Sequence, residues 1–130
     1  MGSSEKIRTI YNPSGFIEQH FIGVQTPQPV LDAVDELVKR AAKLKSQNKP
    51  ALVLVDVTKV PKIDVSDRML KARRSAVKAM REAKYDRVAI YGALPVQVMV
   101  NTLVLIAGKR DKIRVFASRD EALKWLKSED

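Results

Sequence analysis

Ala51-Leu52-Val53-Leu54-Val55-Asp56 is five apolar residues in a row closed by a carboxylate, with Pro50 immediately before it. The run is shorter than the roughly 10–12 residues a helix needs, so it reads as a strand. Apolar side chains at odd and even positions alike mean that both faces of that strand are covered, the pattern of a parallel strand inside a sheet. A fold built around it needs helices on its faces and neighbours on both edges.

Working outward from this run, the chain supplies them. Upstream, Thr26-Pro27-Gln28-Pro29 opens a helix, because proline is tolerated in a first turn. Val30, Val34, Leu37, Ala41 and Leu44 recur at helical spacing behind it, and Asn48-Lys49-Pro50 stops it. Asp32, Asp35 and Glu36 precede Lys39, Arg40, Lys43 and Lys45, in keeping with the helix dipole. Before that helix, Ile7 to Tyr11 and Phe16 to Val24 flank Asn12-Pro13-Ser14-Gly15, a hairpin whose second strand is apolar on both faces. Downstream, a helix from about Ser66 to Lys84 has the core stripe Met69, Ala72, Ala76, Met80 and Ala83, with Asp64 or Ser66 as its N-cap. Arg87 to Gly92 is a further strand, Pro95 to Gly108 a further helix, and Lys112 to Phe116 a last strand. Ser118-Arg119-Asp120-Glu121 has capping-box form and begins a final helix that buries Ala122, Leu123, Trp125 and Leu126. Strands alternating with helices predict a single α/β domain: one mixed, mostly parallel sheet in the order β-β-α-β-α-β-α-β-α, with the first strand antiparallel at an edge.

Composition narrows the function mainly by exclusion. The chain has 130 residues and no cysteine, which removes disulfides, thiolate metal sites and a cysteine nucleophile. Its start lacks the apolar stretch of a secretory signal and the pattern of a myristoylation site. The longest apolar run, Val96 to Ala107, is broken by Gln97, Asn101 and Thr102 and is far below the roughly 20 residues of a membrane span. A cytoplasmic location is expected. Lys and Arg number 24 against 15 Asp and Glu, a net +9 that suits nucleic acid, an anionic membrane surface or an acidic protein as partner, or equally a solubilising surface.

The segment Val55-Asp56-Val57-Thr58-Lys59-Val60-Pro61-Lys62-Ile63-Asp64-Val65-Ser66 resembles the STAS domain superfamily. The nearest branch is the stand-alone type similar to the anti-sigma factor antagonist of sporulating bacteria (SpoIIAA-like), which overlaps the Sec14-like fold. It mirrors that family's buried strand, its Asp-apolar-Ser/Thr step and its Asp-Ser-Ser-Gly step at the start of a helix. Arg87 to Gly92 and the closing Val115-Phe116 … Asp120 to Leu126 extend the likeness over nearly the whole chain. The resemblance implies a non-enzymatic regulatory module, with Ser66 at the phosphorylated position of the antagonists and Asp64 at the preceding aspartate. Val65 and Asp67 depart from the family's serine and glycine, and an acidic Asp67 repels an added phosphate. The plain reading of Ser66 is a helix cap.

Other features divide between function and framework. Lys71, Arg74, Lys78 and Arg81 share one helix face, the footprint of a phosphate-contacting surface or of an ordinary solvated face. Tyr85 is the one aromatic residue near them in sequence. The Pro95–Ala107 helix is apolar nearly all round, so Val98 and Leu105 on its outer side read as an interface or as further core. Asp56, expected where a buried parallel strand ends, is the carboxylate best placed for function, since open α/β sheets bind ligands there; its plain reading is a hydrogen-bonding aspartate that ends the strand. His20 is the only histidine; with no second histidine and no cysteine, no metal is expected, and no cofactor motif is present. The resulting expectation is a module that docks a protein partner or a small apolar ligand near Asp64–Ser66 and the Pro95–Ala107 helix, with Arg73 on the same flank to pair with an acidic group. The alternative is nucleic-acid binding along the basic face. Homodimerisation and membrane-surface association stay open. An enzyme would require His20 to stand beside Asp56 or Asp64 in a cleft.

Overall fold

The computed structural model describes residues 7–23, 26–60, 66–83, 85–92 and 112–128. Asp64, Val98 and Leu105, with the whole expected helix from Pro95 to Ala107, lie outside the described residues, as does the side chain of Arg81.

Five strands form one sheet in the order of the chain: β1 (Ile7–Asn12), β2 (Phe16–Ile22), β3 (Leu52–Lys59), β4 (Arg87–Tyr91) and β5 (Ile113–Phe116). β1 runs antiparallel to β2, and every later pairing is parallel. The hairpin between β1 and β2 closes with Gly15 N–H donating to Asn12 O at 2.9 Å, and Gly15 takes a φ of +102° that favours glycine.

Parallel neighbours need crossovers, and here α1 (Pro27–Ser46) joins β2 to β3 while α2 (Asp67–Glu82) joins β3 to β4. Both connections step the same way along the sheet, so right-handed crossing places both helices on one face. There α1 and α2 pack side by side. Beneath α1 lie Ile17, Val53, Val55, Val57, Val88 and Ile113, with Leu37, Ala41 and Leu44 from the helix itself. The α1 stripe differs from the expected one by a single position: Ala33 is buried and Val34 only half so. The small side chain lets the helix backbone approach β2 closely enough for Gln19 Nε2 to donate to Ala33 O at 2.9 Å.

The opposite face is covered by α3 (Arg119–Leu126). Ala122 and Leu126 meet Phe16, Leu54, Ala89 and Tyr91, with Leu52, Phe116, Leu123 and Trp125 at the margin. The expected cap is present, Ser118 Oγ accepting from Glu121 N at 3.3 Å. The far end of α3 is held by Arg87, whose Nη1 donates to Trp125 O at 2.6 Å and Ser128 O at 2.9 Å. A cation on the last carbonyls suits the negative end of the helix dipole. Arg87 and Arg114 also flank the Trp125 ring at 5.1 and 5.2 Å.

Candidate functional site

Asp56 is not the end of its strand. β3 continues to Lys59, because β2 goes on pairing with it as far as Ile22↔Lys59. Asp56 is instead the last rung of the β3–β4 ladder, opposite Tyr91. On its other side it pairs with His20, and the register between β2 and β3 shifts directly after that pair. His20, Asp56 and Tyr91 therefore form a row across three adjacent strands, on the face that α3 covers, at a bulge where strand geometry re-aims side chains.

The side chains of this row engage one another. Asp56 Oδ2 is 3.1 Å from His20 Nδ1, and since a carboxylate only accepts, the Nδ1 proton points at it. Asp56 Oδ1 accepts from Thr58 N at 2.8 Å and from Thr58 Oγ1 at 2.6 Å. One residue pair deeper, buried Glu18 takes Arg119 Nη1 on Oε1 at 2.7 Å and Asn12 Nδ2 on Oε2 at 2.8 Å. Arg119 Nη1 reaches Tyr91 OH at 3.2 Å, and His20 Nε2 lies 3.6 Å from Glu18 Oε1. Asn12, Glu18, His20, Asp56, Thr58, Tyr91 and Arg119 thus link β1, β2, β3, β4 and the first turn of α3.

The electrostatics follow from these contacts. Burial pushes the Glu18 carboxyl up, but the hydrogen bonds from Asn12 and Arg119 and the Arg119 and His20 charges outweigh it, leaving Glu18 below its ordinary value. Asp56 behaves alike: burial raises it, and the Thr58 and His20 bonds bring it net below the usual carboxylate range. Tyr91 is raised, first by burial and then by the Asp56 charge, against the lowering effect of Arg119.

His20 stands beside Asp56, one of the two pairings that an enzyme would require within a cleft; Asp64, the other, lies outside the described residues. All four oxygens of Glu18 and Asp56 are engaged within the network; Glu18 and Tyr91 fasten α3 to the sheet through Arg119, while Asp56 ties His20 to Thr58. Among the described residues no group of three or more histidines and carboxylates has the geometry to hold a metal ion. Sequence reasoning named His20 beside Asp56 as a condition for an enzyme but missed Glu18, Tyr91 and Arg119. A signal was present: Glu18 and Gln19 are two polar residues inside a strand apolar on both faces, and buried polar groups require partners.

The expected docking region is at α2. Ser66 is its N-cap, the side chain accepting from Met69 N at 3.3 Å. Met69 and Ala72 are buried, whereas Asp67, Arg68, Lys71, Arg74 and Lys78 are exposed and Arg73 is half-buried. Leu70 is 38% exposed on the same outer side, one turn from the cap. Tyr85 offers no stacking surface to the basic face, since it is buried in the core under α1.

A mixed five-stranded sheet with helices on both faces and a capped helix after its third strand defines an α/β sheet domain. No protein-family model matches the chain, and no curated protein matches it. Among solved structures it is similar to an uncharacterised DUF3478-family protein with a SpoIIAA-like fold from Shewanella loihica PV-4. The TM-score is 0.61 at 15% identity, over 92% of this chain and 91% of that one. The fold is SpoIIAA-like, as the sequence resemblance implies. No helix among the described residues is long and apolar enough to cross a membrane.

Proposed function

We propose that the protein is a non-enzymatic regulatory module of STAS type that docks an acidic protein partner on the outer face of α2, next to the Ser66 cap. One observation carries this reading: Leu70, a large apolar side chain 38% exposed on a helix, sits among Asp67, Lys71 and Arg74. An apolar anchor ringed by charge is the layout of a protein-binding patch. The net charge of +9 favours an acidic partner. The engagement of Glu18 by Arg119 and Asn12, which makes it a strut for α3, supports the non-enzymatic part.

Nucleic acid is the second reading, favoured by exposed Lys71, Arg74 and Lys78 on one helix face. Leu70 separates the two, because a phosphate backbone has no use for an apolar anchor. Fluorescence anisotropy with a labelled acidic amphipathic peptide and with labelled DNA and RNA oligonucleotides, at low and physiological salt, tests the choice. Peptide binding that Leu70→Asp weakens about ten-fold or more, with no oligonucleotide binding at physiological salt, is expected. Micromolar oligonucleotide binding that falls steeply with salt and ignores Leu70→Asp overturns the proposal. The small apolar ligand expected at the Pro95–Ala107 helix lies outside the described residues.

A further inference from the structure

β1 ends the sheet on one side. Among the described residues it pairs with β2 alone, leaving a row of outward backbone N–H and C=O groups along Ile7–Asn12. Proteins usually blunt such edges with lysine, proline, a bulge or a very short strand. β1 uses none of these: its six residues hold continuous register with β2 from Ile7↔Phe21 to Asn12↔Phe16, and Arg8 is its one charge. Two of the three exposed large apolar side chains of the described residues lie next to each other on this strand, Ile10 at 49% and Tyr11 at 45% exposure. Being consecutive, they flank the open edge on opposite faces of the sheet.

We infer that β1 is a self-association edge, pairing antiparallel with β1 of a second copy about a two-fold axis at Ile10. Residues directly opposite in such a ladder share a face. This register sets Ile10 against Ile10 of the partner subunit and Tyr11 against Thr9 of the partner subunit. Arg8 then faces Asn12 of the partner subunit, so no like charges oppose each other; centring the pair on Arg8 would set arginine against arginine. The outcome is apolar, β-branched and aromatic cross-strand contact at the two most exposed apolar residues, within one continuous sheet through both subunits. A second copy suits this edge because the strand complements itself.

One short ladder covers well under the roughly 1,200 Å² of a stable interface, so the dimer is weak and concentration-dependent. Each copy carries +9, so mutual repulsion opposes it and added salt strengthens it by screening. That is the reverse of the salt response expected for an acidic partner on α2, and the inference does not rest on that docking.

Sedimentation equilibrium of the full chain over a range of concentrations, at low and high salt, reads the association directly. A monomer–dimer equilibrium that tightens with salt is expected, together with slower amide exchange along β1 as concentration rises. Ile10→Lys should weaken the dimer about ten-fold or more while leaving the thermal midpoint near that of the parent, since Ile10 is half exposed. Leu70→Asp should leave the dimer intact. A chain that stays monomeric with freely exchanging β1 amides overturns the inference and leaves the edge to a strand from another protein. A dimer that survives Ile10→Lys, or that Leu70→Asp abolishes, overturns it as well.

Discussion

Glu18 is buried in an interior strand, and its two oxygens are held from two other elements, Asn12 of β1 and Arg119 of α3. Glu18→Gln keeps the shape and removes the charge, so chemical denaturation at neutral pH should show a loss of about 1.5–3 kcal/mol. The loss should shrink in acid. Glu18 and Asp56 both sit below their ordinary values, which means the folded chain binds their protons less readily than the unfolded chain. Their contribution is complete above the unfolded carboxylate range, near about pH 4, and is lost as pH falls through the lower folded-state values. Stability measured from about pH 6 downward should therefore fall less steeply in Glu18→Gln than in the parent. Gly92 presents a different residue-scale constraint. A Cβ there would come within 2.5 Å of Val57 Cγ2 and 3.1 Å of the Val57 carbonyl carbon. Valine is stiff and its backbone belongs to β3, so Gly92→Ala should cost about 1–3 kcal/mol in thermal unfolding. Val57→Ala in the same chain should recover part of that cost, a coupling that a double-mutant cycle would measure.

At the scale of elements, α2 depends on its start. Ser66 accepts from Met69 N, so Ser66→Ala should lower stability by about 1 kcal/mol in chemical denaturation. Ser66→Glu, placing a carboxylate where a phosphate would sit, should in addition weaken peptide binding at α2; unchanged affinity would remove Ser66 from the docking surface. The described elements were legible because their signals are local: apolar runs, caps such as Ser118, and the hairpin turn at Asn12–Gly15. Lengths were less so. β3 outruns its apolar run because its final residues pair with β2 beyond the last rung shared with β4, and that depends on register rather than on composition. The polar network was legible in part: Glu18 inside an apolar strand demanded a partner. That the partner is Arg119, a hundred residues away on the opposite end of the chain, follows only once α3 has been laid across the sheet.

For the whole molecule, strand order equals chain order, β1-β2-β3-β4-β5, so each strand adds beside the one made just before it. During synthesis the sheet can therefore grow by accretion, with the local β1–β2 hairpin first and each crossover helix closing behind the strand that follows it. α1 and α2 cover their face along the way. The other face waits: Phe16, Leu54 and Ala89 meet Ala122 and Leu126 only when the last helix emerges. Until then the described residues leave that face uncovered, and Glu18 has no Arg119 to hold it. A chain cut short before Ser118 would thus lack the helix that shields Phe16, Leu54 and Ala89, and such a fragment should bind a hydrophobic dye that the full chain excludes.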